Sequence, residues 1–115
     1  MVPNDKLTTD GEIAFTVLRE IREMYANAEP AFRVLSISDD ATGNFLLMDE
    51  GWDKYKRVLR VWLHIELRDD LFWIQEDGTE IGVANLLLSA GIPASRIVLA
   101  FNHPSLRQHT DFAAP

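Results

Sequence analysis

The feature that most constrains the fold is a ten-residue run, Leu59 to Arg68, in which apolar and polar positions alternate. Leu59, Val61, Leu63, Ile65 and Leu67 take one set of positions; Arg60, Trp62, His64, Glu66 and Arg68 take the other. Successive side chains of a strand point to opposite faces, so the run predicts a strand with one face in a core. Asp69-Asp70 and then Leu71-Phe72-Trp73-Ile74-Gln75 follow it. If the two aspartates are the central residues of a tight turn, the hairpin register is set. Leu67 then faces Phe72 and Ile65 faces Ile74 on the core side. Glu66 faces Trp73, His64 faces Gln75 and Trp62 faces Asp77 on the other.

The remaining segments supply partners for this hairpin. Thr9 and Glu12 have capping-box spacing, and Ile13, Val17, Ile21 and Met24 or Tyr25 recur every three or four residues. These predict a helix from about Asp10 to Ala28, stopped by Pro30. The period then becomes two. Phe32–Ser38 and Asn44–Glu50 read as strands around the turn-rich Asp39–Gly43, and Gly51-Trp52-Asp53 reads as a break. A second helix is expected over the apolar Ile81–Ala90, with Asp77 as N-cap and Glu80 three residues on, ended by Gly91 and Pro93. Ile97–Phe101 reads as a strand and Ser105–Thr110 as a last short helix. Strands joined by short turns make an antiparallel meander, and one-sided helices cover it. The expectation is therefore a single α+β domain over 1–115: an antiparallel β-meander with an N-terminal helix and a second helix packed on the sheet.

Composition then narrows the function classes. Eighteen acidic against eleven basic residues give a net charge of −7. Phosphate contact rests on clustered Lys and Arg, so direct nucleic-acid binding is not expected. The acid is concentrated in residues 1–50, with ten Asp/Glu and four Lys/Arg, against eight and seven in residues 51–115. Lys54, Lys56, Arg57 and Arg60 crowd into seven positions there, as a solvated strand end or an anion contact. The chain has no cysteine, its three histidines lack metal-site spacing, and it has no run long enough to span a bilayer. No signal-peptide pattern opens it. These point to a cytoplasmic protein without metal, cofactor or membrane attachment.

Candidate chemistry is sparse. There is no nucleophile elbow and no phosphate-binding glycine loop. Two acid–base pairs are conceivable, His64 with Glu66 and Asp77 with Glu80, but neighbouring strand positions and a helix start each explain them without catalysis. The far face of the hairpin is more informative. Trp62, Trp73, His64, Gln75, Arg57 and Arg60 make a mixed aromatic and polar surface of the kind enriched at protein interfaces. Either a partner or a second copy covers it, or the first helix or the C-terminal segment does so within the monomer.

The second half also carries a pattern of spaced blocks. Gly51-Trp52 and His64-Ile65 precede Gln75-x-Asp77-Gly78-Thr79-Glu80-x-Gly82-x-Ala84-Asn85. Ala90-Gly91-Ile92-Pro93, Ile97–Phe101 and Pro104-x-x-Arg107-x-x-Thr110-x-Phe112-Ala113 come next. This resembles the XisI-like family of fdxN-element excision controlling factors, over nearly the whole chain. Family members commonly have Asp-Gly at the Asp69-Asp70 turn and an acidic residue at Arg96. The resemblance implies a non-enzymatic accessory protein of cyanobacterial type. It would act with a XisH-like, nuclease-fold partner to control site-specific excision of a DNA element while a separate recombinase cuts and rejoins the strands. An antitoxin-like inhibitor of that partner is the other role it implies.

Overall fold

A computed structural model of the chain describes residues 5–115. Helix α1 (Asp5–Tyr25) is followed by strands β1 (Phe32–Asp39), β2 (Asn44–Asp53), β3 (Lys56–Arg68) and β4 (Leu71–Asp77). Helix α2 (Val83–Ser89), a 3-10 turn (Ala94–Arg96), strand β5 (Ile97–Leu99) and helix α3 (Pro104–Arg107) complete it. The sheet order is β1-β2-β3-β4-β5. The first four strands form the expected antiparallel meander, while β5 returns through α2 and pairs parallel to β4. Among the described residues, no helix is long and apolar enough to cross a membrane.

The core lies between α1 and the sheet. Ala14, Val17, Leu18 and Ile21 of α1 meet Phe45, Leu47, Leu63, Ile65, Phe72 and Ile74, and Val83 and Leu87 of α2 join them. The helix repeat brings residues three and four apart onto one stripe, and the strand repeat of two does the same for the sheet. The starts of α1 and α2 differ from expectation. Because α1 already runs from Asp5, Thr9 lies inside it and cannot cap its start. Helix α2 begins only at Val83, since Gly82 sits at φ 88°, outside helical geometry. Asp77 reaches forward instead: its carboxylate accepts from Thr79 N–H, Thr79 Oγ1–H and Val83 N–H. It thus shapes the loop and satisfies one free helix N–H from six residues upstream.

The β3–β4 hairpin shows where alternation stops being a guide. Asp69 and Asp70 both have positive φ, 53° and 69°, as a primed two-residue turn requires. Leu67 faces Phe72, Glu66 faces Trp73 and Ile65 faces Ile74, in the expected register. Gln75 is then an extra residue, so His64 faces Glu76 and Leu63, not Trp62, faces Asp77. A second irregularity falls between β2 and β3: Leu47 faces Leu63 and Met48 faces Val61, leaving Trp62 over. Each bulge reverses the faces of everything beyond it.

Candidate protein-binding face

The bulge at Trp62 separates the two hairpin tryptophans. Trp62 turns towards the helix side, where its ring meets Tyr25 of α1 edge-on, with centroids 5.4 Å apart. Trp73 stays on the opposite face but is 9% exposed. Arg68 lies 4.0 Å above its ring and Arg107 of α3 is 5.9 Å away. Its Nε1–H donates to Arg68 O at 2.9 Å. The two rings therefore do not form one surface: Trp73 is buried within the chain, and Trp62 is half-buried and packed against the core. The remaining candidates divide in the same way. Gln75 donates to Glu66 (3.0 Å), and His64 Nε2 lies 2.7 Å from Asn44 Oδ1. Arg60 pairs with Asp49 at 3.5 Å in a cavity lined also by Tyr25, Phe32 and Trp62, on the helix side.

The same bulge turns Leu59 and Val61 outwards. They leave the core side at which alternation aimed them and are 59% and 38% exposed. Beyond Leu63 the β2–β3 ladder runs on without β4, and beyond Gly51 it runs on without β1. The end of this hairpin, Trp52 to Arg57, thus stands clear of both neighbouring strands. Trp52 is 54% exposed and Tyr55, at the turn, is 99% exposed. Lys54 takes the left-handed conformation, φ 58°, that closes the turn. The Gly51-Trp52-Asp53 break expected from the sequence is instead the last part of β2.

Glu50 organises this end. It accepts from Arg33 Nε at 2.5 Å and from Arg57, and these two hydrogen bonds hold its carboxyl below the ordinary carboxylate range. Arg57, so anchored, lies 5.5 Å from the Trp52 ring centroid. Four cations crowd the segment, yet Arg57 and Arg60 are each matched by a carboxylate. What remains is an aromatic and aliphatic surface of Trp52, Tyr55, Leu59 and Val61 framed by an ordered ion cluster. None of these four belongs to the binding face expected from the sequence. One signal was available: a tyrosine between Lys54 and Lys56 in a two-residue turn has no core within reach.

The acid–base pairs are engaged structurally. Glu66 is occupied by Gln75 and lies 3.5 Å from Arg68. Burial lowers the His64 pKa from 6.5, against the opposing pull of Glu66. Asp77 is spent on its loop, and Glu80 is exposed, with its own N–H donating to Tyr25 Oη at 3.2 Å. Among the described residues, no three His, Asp or Glu side chains gather as a metal site.

The block residues from Gly78 onward are engaged in building loops and caps. Thr79 Oγ1 accepts from Gly82 N–H, and Asn85 Nδ2 donates to Ile81 O. Gly78 N–H donates to Trp62 O at 2.7 Å, fastening the loop to the bulge. Gly91 follows α2, Pro93 leads into the 3-10 turn, and Pro104 opens α3 behind His103, whose ring accepts from Ser105 N–H. Arg107 donates to Asn102 O and Ala100 O, Thr110 donates to Arg107 O, and Phe112 packs on the core.

The family model described as XisI protein matches residues 4–114. The chain belongs to the XisI family. Two solved structures from Anabaena variabilis agree with it closely in fold. One is a XisI-like protein, 26% identical, with a TM-score of 0.87 over 95% of this chain and 99% of the other. The second is described as the fdxN element excision controlling factor XisI, 31% identical, with a TM-score of 0.86 over 96% and 100%. No curated protein matches the chain.

Proposed function

We propose that this chain is a regulatory protein that controls excision of a DNA element by binding a XisH-like, nuclease-fold protein, and that the β2–β3 hairpin end makes the contact. One observation carries the reading: Trp52, Tyr55 and Leu59 stand 54%, 99% and 59% exposed on a hairpin that runs past its neighbours. Large aromatic and aliphatic groups left in water at one hairpin end disfavour a purely solvated role, and Trp, Tyr and Arg are the residue types that dominate interface energetics. The description of the Anabaena variabilis structure as an excision controlling factor supports the regulatory role. The charge supports action through a protein. With a net −7 and Arg57 and Arg60 already paired, only Lys54 and Lys56 of the cluster are left for phosphate, beside Asp53.

The test is capture from the native host with tagged wild type and a Trp52→Ala/Tyr55→Ser variant. Wild type retains a XisH-like protein and the folded variant loses it. Equal retention by the variant removes the hairpin from the account. Capture without any nuclease-fold protein, or a salt-sensitive shift of DNA by the isolated chain, removes the proposed partner.

A further inference from the structure

The sheet ends on two edges that are treated very differently. Strand β5 has three residues, and the C-terminal segment closes beside it, with Ala113 N–H donating to Ile97 O at 2.9 Å. Strand β1 has eight residues and pairs on one side only, with β2, in an unbroken register. Phe32 N–H is committed to Glu29 O. By strand alternation, the peptide groups of Val34, Ser36 and Ser38 then turn away from β2 towards the open side. Proteins commonly blunt such an edge with proline, lysine or a bulge, or cover it. Phe-Arg-Val-Leu-Ser-Ile-Ser-Asp contains no proline or lysine, β1 has no bulge, and no strand among the described residues lies beyond it.

We propose that β1 pairs antiparallel with β1 of a second copy about a two-fold axis at Ser36, joining two five-stranded sheets into one of ten. An antiparallel strand pair is its own two-fold mate, so a single surface serves both copies. Both sheets keep their helix-covered faces aligned only if even positions meet even and odd meet odd. Centring on Ser36 places Val34 opposite Ser38 of the second copy, Leu35 opposite its Ile37, and Arg33 opposite its Asp39. Ile37, 42% exposed in the single chain, is then covered by an apolar neighbour. Arg33 is 71% exposed, and a guanidinium has donors to spare after bonding Glu50. Centring one residue earlier would set Arg33 against Ile37 and leave Asp39 opposite Ala31. The strand itself is charge-balanced, one Arg and one Asp, so two chains of net −7 meet along it without a net like charge. This pairing does not rest on the excision reading, since it uses the edge, and Arg33 is the one residue it shares with the ion cluster behind the hairpin end.

The chain has no cysteine, which makes the register directly testable. Ser36→Cys puts two thiols opposite each other, with Cα atoms about 5.5 Å apart, within disulfide reach. Ser38→Cys separates its two thiols by four residues along the strand, about 13 Å, beyond reach. Mild oxidation should convert Ser36→Cys to a covalent dimer on a non-reducing gel and leave Ser38→Cys as monomer. Wild type should sediment at twice the 13.1 kDa chain mass. Ser36→Pro, which removes one outward N–H and spares the β2 ladder, should sediment as a folded monomer. A monomeric wild type at high micromolar concentration overturns the proposal. So does a folded, dimeric Ser36→Pro, or equal cross-linking of the two cysteine variants.

Discussion

Arg96 and Asp10 lie 86 positions apart and form the most enclosed ion pair described, with side chains 20% and 8% exposed. Arg96 Nη2 meets Asp10 Oδ2 at 2.5 Å and Nη1 meets Oδ1 at 3.4 Å, tying α1 to the turn before β5. The Arg96 guanidinium also donates to Asp70 O at 3.1 Å and lies 5.6 Å from the Phe72 ring centroid. The two ends of this pair are not equivalent. Arg96→Met strands a buried carboxylate, which costs about 3–5 kcal/mol. Asp10→Leu leaves an arginine that keeps the Asp70 carbonyl and has the Asp70 carboxylate at 3.6 Å, so it should cost only about 1–2 kcal/mol. The double variant removes both charges and should recover most of the loss, since apolar replacement of an enclosed pair is often near neutral. Urea unfolding of the four proteins gives the cycle directly. A loss below about 1 kcal/mol for Arg96→Met, or a double variant equal to the sum of the singles, would refute the reasoning.

Three further outcomes follow from local geometry. Gly51→Ala would place a Cβ 2.3 Å from Ala31 O and 2.7 Å from Phe32 Cδ1, so it should destabilise by about 2–3 kcal/mol in thermal melts. Gly82→Ala, at φ 88° with Asn85 Nδ2 3.1 Å away, should cost about 1–2 kcal/mol. Asp69→Gly relieves a left-handed residue whose one ion contact among the described residues is at 3.9 Å, with Arg68, so the melting temperature should rise by the equivalent of about 0.5–1 kcal/mol. His64 has its native pKa depressed below 6.5 by burial. The unfolded chain therefore takes up the proton first as pH falls, and the stability that His64 contributes is complete above pH 6.5 and lost below it. His64→Gln should flatten that part of the unfolding free energy between about pH 7.5 and about pH 5; identical profiles would count against it.

Much of the fold was legible because it rests on periodicity and punctuation. The α1 stripe, the four meander strands and the Asp69-Asp70 turn follow from residue spacing, and the hairpin register holds from Arg68 to Ile65. It fails at Gln75 and Trp62 for one physical cause. A bulge adds a residue without a composition of its own, since Trp and Gln pass as ordinary strand positions. The candidate site depended on those two residues. Trp62 moved under α1, Trp73 under Arg107, and Leu59 and Val61 came out to solvent, exchanging the buried and exposed sets beyond the bulge. Likewise, Asp77 was recognisable as a capping acceptor, but its reach to Val83 depends on a loop whose turn at Gly82 sequence spacing does not show.

Trp52 tests most directly whether the hairpin end binds a protein. About half of its side chain lies open, so covering it would remove about 135 Å² from water, worth about 3 kcal/mol. Calorimetric titration of a purified XisH-like protein should show Trp52→Ala weakening Kd roughly 150-fold. Its folding stability should fall by only about 1–2 kcal/mol, the share held under Arg57. A Kd within about threefold of wild type would contradict the account, because 0.6 kcal/mol or so is far too little for a buried tryptophan.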